Sequence, residues 1–313
     1  MIVDFDLLAT ELEAVVPGRV ERNVAFSGIG TYRLGGPIAV LVRIGNDQDV
    51  DAVAEVVRRV RPRVLVLGRG SNLVVADGGF AGLGIMGTDE LEAVAVGERT
   101  VVAGAACPLP VLARRSAAAG RTGLEFYVGI PGSVGGAIQM NAGGHGQETA
   151  AVCTRAWVVD FFGAPGIMER SVDSLAFSYR HSALRRSDFV VRAEFAVALD
   201  DPEACNARID EIVRWRREHQ PGGQNAGSVF RNPPGDHAGR LIEAAGCKGF
   251  RVGGASVSEK HANFFQAEPG ATAADVAALV REVAARVEAT SGVRLQPEIR
   301  FVGFDDGPTG GGA

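Results

Sequence analysis

Gly68-Arg-Gly-Ser-Asn-Leu-Val-Val-Ala76 is the stretch whose reading decides the fold. It follows an apolar run, Val64–Leu67, and opens with two glycines around Arg69, so it must be tested against the dinucleotide-binding turn G-x-G-x-x-G. That turn needs a third glycine and a helix directly behind it, because the helix N-terminus faces the pyrophosphate. Here Leu73 occupies the place of the third glycine, and Leu73–Ala76 continues as a strand toward Asp77-Gly-Gly. The order is strand, glycine loop, strand. This disfavours a Rossmann site, yet bare backbone of this kind can still wrap a phosphate. On these residues alone a plain hairpin stays open.

A second glycine-rich stretch, Gly123–Gly146, reads GLEFYVGIPGSVGGAIQMNAGGHG. Small Ser133 and Ala137 lie among its glycines, and Ile130-Pro131 leads into a short helix at Ser133–Met140. Two such loops in one chain favour a phosphate-holding role over a coincidence of tight turns, although either alone is a weak signal.

Around these loops the chain alternates helical and β patterns. Leu7, Leu8, Leu12, Val15 and Val16 fall at helical spacing over 4–16, and Pro17-Gly18 stops that helix. Val20–Val24 and Ala39–Ile44 read as strands flanking the loop at 31–36. Asn46 or Asp47 caps a helix carrying Val50, Val53, Val56, Val57 and Val60. Short β segments fill 82–105, a helix runs from Pro108 or Pro110 to Ala119, and Val152–Phe162 and Phe189–Leu199 are strand candidates. After Asp201-Pro202, which marks a boundary, come a long helix to Gln220, a helix capped near Asp236, and strands at Phe250–Val257 and Ala262–Gln266. An Ala/Val-rich helix at 272–290 and a last strand at Arg294–Val302 complete the pattern. The tail at 304–313, FDDGPTGGGA, lacks core-forming residues after Phe304 and is expected to be disordered.

Composition narrows the function. The 313 residues carry a net charge of −5, with 46% apolar and 22% charged residues, an ordinary soluble profile without the basic face that nucleic acid requires. No apolar run reaches the roughly 20 residues that cross a bilayer. The acidic, helix-patterned N-terminus is not a secretory signal, so the chain is expected in the cytoplasm, with no membrane partner, as a monomer. Cys107, Cys153, Cys205 and Cys247 lie more than forty residues apart with no CxxC, and the histidines form no HExxH set, so neither zinc nor a disulfide framework is indicated.

Seven blocks then become specific together: LGRGSNL, GIPGSVGGAIQMNAG, YRHS, GSVFRNP, AGRLIEAAG, VSEKHANF and QPEIRFVG. Their combination and order, from about residue 26 to 303, resemble the UDP-N-acetylenolpyruvoylglucosamine reductase (MurB) family, in its shorter subclass lacking an extra loop after YRHS. The resemblance implies an α+β, FAD-binding fold of the PCMH or vanillyl-alcohol-oxidase type. It would comprise FAD-binding subdomains at 1–80 and 81–201, and a C-terminal α+β substrate-binding domain at 202–303.

It also implies that Gly68, Arg69, Gly70, Ser71, Asn72 and Leu73 clasp a non-covalent FAD together with Gly129, Ile130, Pro131, Gly132, Ser133, Gly135, Gly136, Ala137 and Asn141. NADPH is the co-substrate, the flavin passes hydride to the terminal vinyl carbon of UDP-N-acetylglucosamine enolpyruvate, and the product belongs to peptidoglycan precursor synthesis. Two positions depart from the family: Arg69 stands where relatives carry glycine, and His145 where they carry an aromatic residue.

By motif position Ser228 is the proton donor, and Arg180 and Glu298 polarise the substrate carboxyl. Glu298 can do so only if protonated or acting through the arginine, which implies a raised pKa. Without the resemblance, Ser228 beside Gly227 reads as a turn serine, and Arg180 and Glu298 as ordinary ion-pair residues. Tyr179, Asn232, Lys260 and Asn263 are the substrate-binding candidates, each with a plain structural alternative. His181 and His261 read as structural. An oxygen-using flavin oxidase would carry a flavin-linking His or Cys in the first loop, and GRGSN has neither. A non-enzymatic nucleotide-binding protein would have lost Arg180, Ser228 or Glu298.

Overall fold

The computed structural model describes residues 3–304, so the tail expected to be disordered lies, past Phe304, outside the described residues. The contacts divide the chain into two compact units that interleave in sequence. The first comprises Met1–Asn23, Ala39–Arg69 and Gly82–Arg216; the second comprises Val24–Ile38, Gly70–Ala81 and Arg217–Ala313. No single cut at 80 or 201 separates these units, and the first glycine loop is itself divided between Arg69 and Gly70.

In the first unit, Asp4 caps the helix Phe5–Val15 by accepting from the amides of Asp6 and Leu7 at 2.9 and 3.1 Å. Asn46 caps the helix Asp47–Val60 through the Asp49 amide at 2.9 Å. Their apolar stripes, Leu8 and Leu12 with Val50, Val53 and Val57, pack on Val40, Val42, Leu83 and Ile85. Those residues belong to a four-stranded sheet ordered Val20–Ala25, Pro37–Ile44, Phe80–Gly87, Val64–Leu67, whose last pair is parallel with Val64 opposite Leu83.

A second, five-stranded sheet runs Met168–Ser171, Cys153–Asp160, Asp188–Ala196, Thr100–Gly104, Val94–Val96. Its central strand contributes Val191 to the core just described and Val190, Ala193 and Phe195 to another. Burial on both faces explains its near-continuous apolar run. That other core is closed by Leu109 and Leu112 of the helix Leu109–Ala118 and by Val134, Ala137 and Ile138 of the helix Val134–Met140.

One sequence expectation is corrected here, and one strand is added. Phe189–Leu199 is not one strand: the ladder ends at Ala196, and Ala198–Leu199 pairs instead with Arg121–Thr122. Met168–Ser171 is a strand that went unread, because Met-Glu-Arg-Ser has no apolar alternation to reveal it.

The second unit holds a three-stranded meander, Arg251–Val252, Ala255–Val257 and Phe265–Ala267, with the helices Ala238–Ala244 and Ala273–Ser291. Its core joins Val276, Val280 and Val283 to Phe230, Phe265 and Ile299, and takes Tyr32 and Leu34 from the loop before Pro37. The helix Ala273–Ser291 starts with a capping box of Thr272 and Asp275. Asp77, from the turn after the first glycine loop, adds a carboxylate that accepts from the amides of Ala273 and Ala274 at 2.8 and 3.0 Å. Such a carboxylate at a helix N-terminus stabilises by about 1 kcal/mol. The expected strand Arg294–Val302 is a ladder only at Arg300–Val302, parallel to Leu73–Val75 with Arg300 opposite Leu73. Pro297 lacks the N–H that would extend it.

Candidate functional site

The first glycine loop follows Val64–Leu67 and passes into the strand Leu73–Val75, with no helix, so the objection to a Rossmann turn holds. Gly70 has φ +63°, and a Cβ there would lie 2.8 Å from the Cα of Gly30, so only glycine fits. The amides of Arg69, Gly70, Ser71 and Asn72 make no turn or loop hydrogen bond among the described residues. Beside Gly30, the buried hydroxyl of Thr31 also has no hydrogen-bond partner among the described residues. Within the first unit the two glycine loops meet: a Cβ on Gly68 would come 2.6 Å from Ser133 Oγ.

The second loop is tied down by its own backbone. Leu109 N donates to Gly132 O at 3.0 Å, Val134 N to Cys107 O at 3.0 Å, and Gly135 N to Ala105 O at 2.8 Å. Ser133 caps the short helix by accepting from the Gly136 amide at 3.4 Å, and Ala137 N bonds Ser133 O at 2.9 Å. The amides of Gly135, Gly136 and Ala137, expected among the cofactor-binding residues, are taken up in holding the loop in shape. Ile130 N is likewise taken, by Tyr127 O at 3.0 Å, whereas Gly132 and Ser133 keep backbone amides without a bond among the described residues.

The sequence did not single out Arg216. Its half-buried guanidinium has neither ion pair nor hydrogen bond among the described residues, and burial lowers its pKa. A Cβ built on Gly129 would sit 3.3 Å from Arg216 Nη1. A desolvated cation beside a glycine loop with open amides fits an anionic group such as a dinucleotide pyrophosphate. A signal existed in the sequence: Arg216 interrupts a helix with a plain amphipathic reading, and nothing local could pair with it.

Both loops end in an asparagine, and neither side chain faces as expected. Asn141, with φ +42° and no exposed surface, accepts from Ala150 N at 2.8 Å and donates to Ser178 O at 3.0 Å. Expected as a cofactor ligand, its side chain clamps Ser178 and Ala150. Asn72 donates to Glu298 O at 3.1 Å and accepts Arg300 N on its own carbonyl at 2.9 Å. It positions the segment carrying Glu298. Leu73 is buried in the strand that follows, not open to a ligand.

Arg180 sits in a tight turn in which Ser178 and His181 exchange both backbone hydrogen bonds at 3.0 Å. Its φ of +55° is a left-handed conformation that costs an arginine roughly 1–2 kcal/mol. Four bonds fasten the turn to the second glycine stretch. Besides Asn141 to Ser178, Arg180 Nη2 donates to Gly143 O at 3.1 Å, Ser182 Oγ to Gln139 O at 2.9 Å, and Gln139 Nε2 to Leu184 O at 3.0 Å. The guanidinium lies 5.1 Å from the centre of the Tyr179 ring, which is 48% exposed.

In the second unit, Gly227–Arg231 lies between two other segments. Val229 N donates to Asn263 O at 2.8 Å on one side; on the other, Arg231 N donates to Gln296 O at 2.9 Å and Glu298 N to Val229 O at 2.7 Å. Ser228 and Glu298, far apart in sequence, are thereby brought to facing segments. Asn263, expected as a substrate ligand, is 3% exposed, accepts from Phe230 N at 2.9 Å and donates to Phe230 O at 2.8 Å, acting as a substitute strand. Asn232 accepts from Ala238 N at 3.0 Å, satisfying the start of a helix whose own cap, His237, makes no side-chain bond. Lys260 donates to Arg217 O at 2.5 Å and lines, with Arg251, Ser258 and Gln266, a cavity of about 290 Å³. Burial holds His261 below the ordinary histidine range, in keeping with its structural reading.

No group of three or more His, Cys, Asp or Glu among the described residues is placed to hold a metal, and no described helix is long and apolar enough to cross a membrane. All four cysteines are buried and unpaired.

Comparison with known proteins completes the picture. Residues 38–163 match the FAD binding domain model, and residues 219–302 match the C-terminal domain of UDP-N-acetylenolpyruvoylglucosamine reductase. The UDP-N-acetylenolpyruvoylglucosamine reductase of Moorella thermoacetica is 41% identical over 302 residues, covering 96% of this chain and 99% of the relative. That of Rhodopseudomonas palustris is 41% identical over 312 residues, covering 98% and 100%. The crystal structure of the Thermus caldophilus reductase superposes with a TM-score of 0.79 at 34% identity, over 91% of this chain and 99% of that one.

Proposed function

Since this chain belongs to the UDP-N-acetylenolpyruvoylglucosamine reductase family, we propose that Arg180, Ser228 and Glu298 carry the chemistry at its substrate. The fold is the FAD-binding α+β type of the PCMH and vanillyl-alcohol-oxidase proteins, and the reaction is the NADPH-dependent reduction of UDP-N-acetylglucosamine enolpyruvate to UDP-N-acetylmuramate in peptidoglycan synthesis. When bound, FAD supplies the transfer of reducing equivalents from NADPH to the enolpyruvyl double bond.

The chain's own residues then have three tasks. To hold the cofactor, the open amides of Gly132 and Ser133 with the Arg216 cation suit a phosphate in the first unit, and the open amides of Gly70, Ser71 and Asn72 suit one in the second; the exposed Arg69 and Pro131 lie on these loops. To stabilise charge, Arg180 is held ready by Gly143 O, so no reorganisation is needed as negative charge grows on the substrate carboxyl. To deliver a proton, Ser228 Oγ gives its hydrogen to the carbon next to the carboxyl, and Glu298, protonated, steadies the enolic form. Lys260 and Arg251, at the rim of the 290 Å³ cavity, suit the substrate diphosphate. Tyr179 and Asn232 shape the substrate's surroundings. The protein works as a cytoplasmic monomer.

The observation that carries this reading is the clamping of Gly227–Arg231 between Asn263 and Gln296–Glu298, which presents Ser228 and Glu298 together. Anaerobic stopped-flow on the flavin absorbance tests it. In Ser228→Ala, reduction by NADPH keeps its wild-type rate while reoxidation by the enolpyruvyl substrate falls by roughly 10²–10⁴-fold. Equal loss in both halves rules the proton-donor assignment out.

A further inference from the structure

Gly143-Gly-His-Gly-Gln-Glu148 forms a small hairpin, with Gly143 opposite Glu148 and Gly144 opposite Gln147. Its two ends do different things. At the base, Gly143 O accepts from Arg180 Nη2 at 3.1 Å. At the tip, His145 and Gly146 take left-handed φ values of +53° and +77°. The His145 ring meets Trp215 edge to face, centroids 5.1 Å apart at 84°. Nε2 also lies 3.3 Å from the Cβ position of Gly129. Arg216 faces His145 as well, with its Nη1 also 3.3 Å from the Gly129 Cβ position, and Trp215 supplies an aromatic ring at the tip.

We propose that the His145–Trp215 contact is a latch that fixes this hairpin and, through Gly143 O, the attitude of the Arg180 guanidinium. His145 and Trp215 are thus positioning residues for the substrate half of the reaction. The inference rests on Arg180 acting at the substrate, as proposed above.

Three features support it. A hairpin of two residue pairs is marginal alone and needs an outside contact to hold one orientation. The Gly143, Gly144 and Gly146 backbone around the tip adds freedom that the ring contact removes. Arg180 stands in a strained left-handed backbone conformation, and Gly143 O is a hydrogen-bond partner of its guanidinium beside the Tyr179 ring. An offset or edge-to-face ring pair is also tolerant of chemistry: a phenyl ring at 145 restores it, an alanine does not.

The test uses full-length, FAD-loaded protein and both half-reactions. His145→Ala leaves flavin reduction by NADPH and substrate Kd within about twofold, and slows reoxidation by the enolpyruvyl substrate roughly tenfold, as expected for a catalytic group displaced by a fraction of an ångström. Trp215→Ala does the same, and His145→Phe returns reoxidation to within about twofold of wild type. In an Arg180→Lys background, His145→Ala has little further effect, because the guanidinium it would align is gone. The latch is wrong if His145→Ala slows both half-reactions alike, if His145→Phe fails to rescue, or if the effect persists undiminished in the Arg180→Lys background. If Arg180→Lys itself leaves reoxidation untouched, the underlying assignment of Arg180 falls instead.

Discussion

The two glycine loops use the same device with different depth. Each ends in an asparagine whose Nδ2 holds a carbonyl in the segment that bears a candidate catalytic residue: Asn141 holds Ser178, two residues before Arg180, and Asn72 holds Glu298. Asn141 is wholly buried and engaged at both ends of its amide, inside a loop whose backbone is already bonded to Ala105 and Cys107. Asn72 is half-buried, and its loop relies on the conformation of Gly70. One loop is fixed by hydrogen bonding; the other keeps its amides open and comes close to Gly30 because Gly70 has no side chain. The difference shows that a glycine-rich stretch can be a scaffold for neighbouring chemistry as much as a cradle for a ligand.

Asn141→Ala breaks the comparison most strongly. It strands a buried amide and a carbonyl, which costs about 2–4 kcal/mol, read as a drop in the urea midpoint of unfolding. Gly70→Ala comes next. A left-handed alanine costs about 1 kcal/mol, and displacing the Gly30 backbone adds to it, so the purified protein carries less FAD and regains it with weaker affinity.

Asn72→Ala is milder in stability, about 1 kcal/mol or less, since water can replace a partner for a half-exposed carbonyl. Its signature is functional: substrate-dependent reoxidation slows severalfold while NADPH reduction does not. If the two asparagine variants lose equal stability, the contrast between the loops is wrong.

The smallest effect is one of pH. Burial, and then the Arg216 cation, hold the His145 pKa below the ordinary histidine value. With a depressed pKa in the folded state, the unfolded chain binds the proton more readily, so stability present above pH ~6.5 declines as pH falls through the folded pKa. His145→Phe removes this decline; thermal melts between pH 7.5 and 5 show a flatter profile for the variant than for wild type.

Much of the fold was legible because periodicity is local. The helices at Phe5–Val15, Asp47–Val60, Pro202–His219 and Ala273–Ser291 appear where apolar spacing placed them, within a residue or two at their ends. The rejection of a Rossmann turn followed from Leu73 in place of the third glycine and from the strand pattern of Leu73–Ala76 where a helix would be needed. At the candidate site, residue identity was legible, but direction was not. Asn141, Asn263 and Asn232 carried motif positions suited to ligands, and the structure turns their amides to Ala150, Phe230 and Ala238. An asparagine amide serves a ligand or a backbone equally well, so sequence cannot tell which partner it meets.

By itself the sequence determined where the long helices and most of the strands lie, that the chain carries two glycine-rich loops, and which family's motifs it holds. Those depend on neighbours along the chain, on dihedral freedom and side-chain period. Only the tertiary structure decided that Ser228 and Glu298 lie on facing segments, that Asn72 reaches Glu298, and that Arg180 hangs from Gly143. Hydrogen bonds join residues far apart in sequence once burial has excluded water, and no local pattern records which carbonyl a given donor will then find.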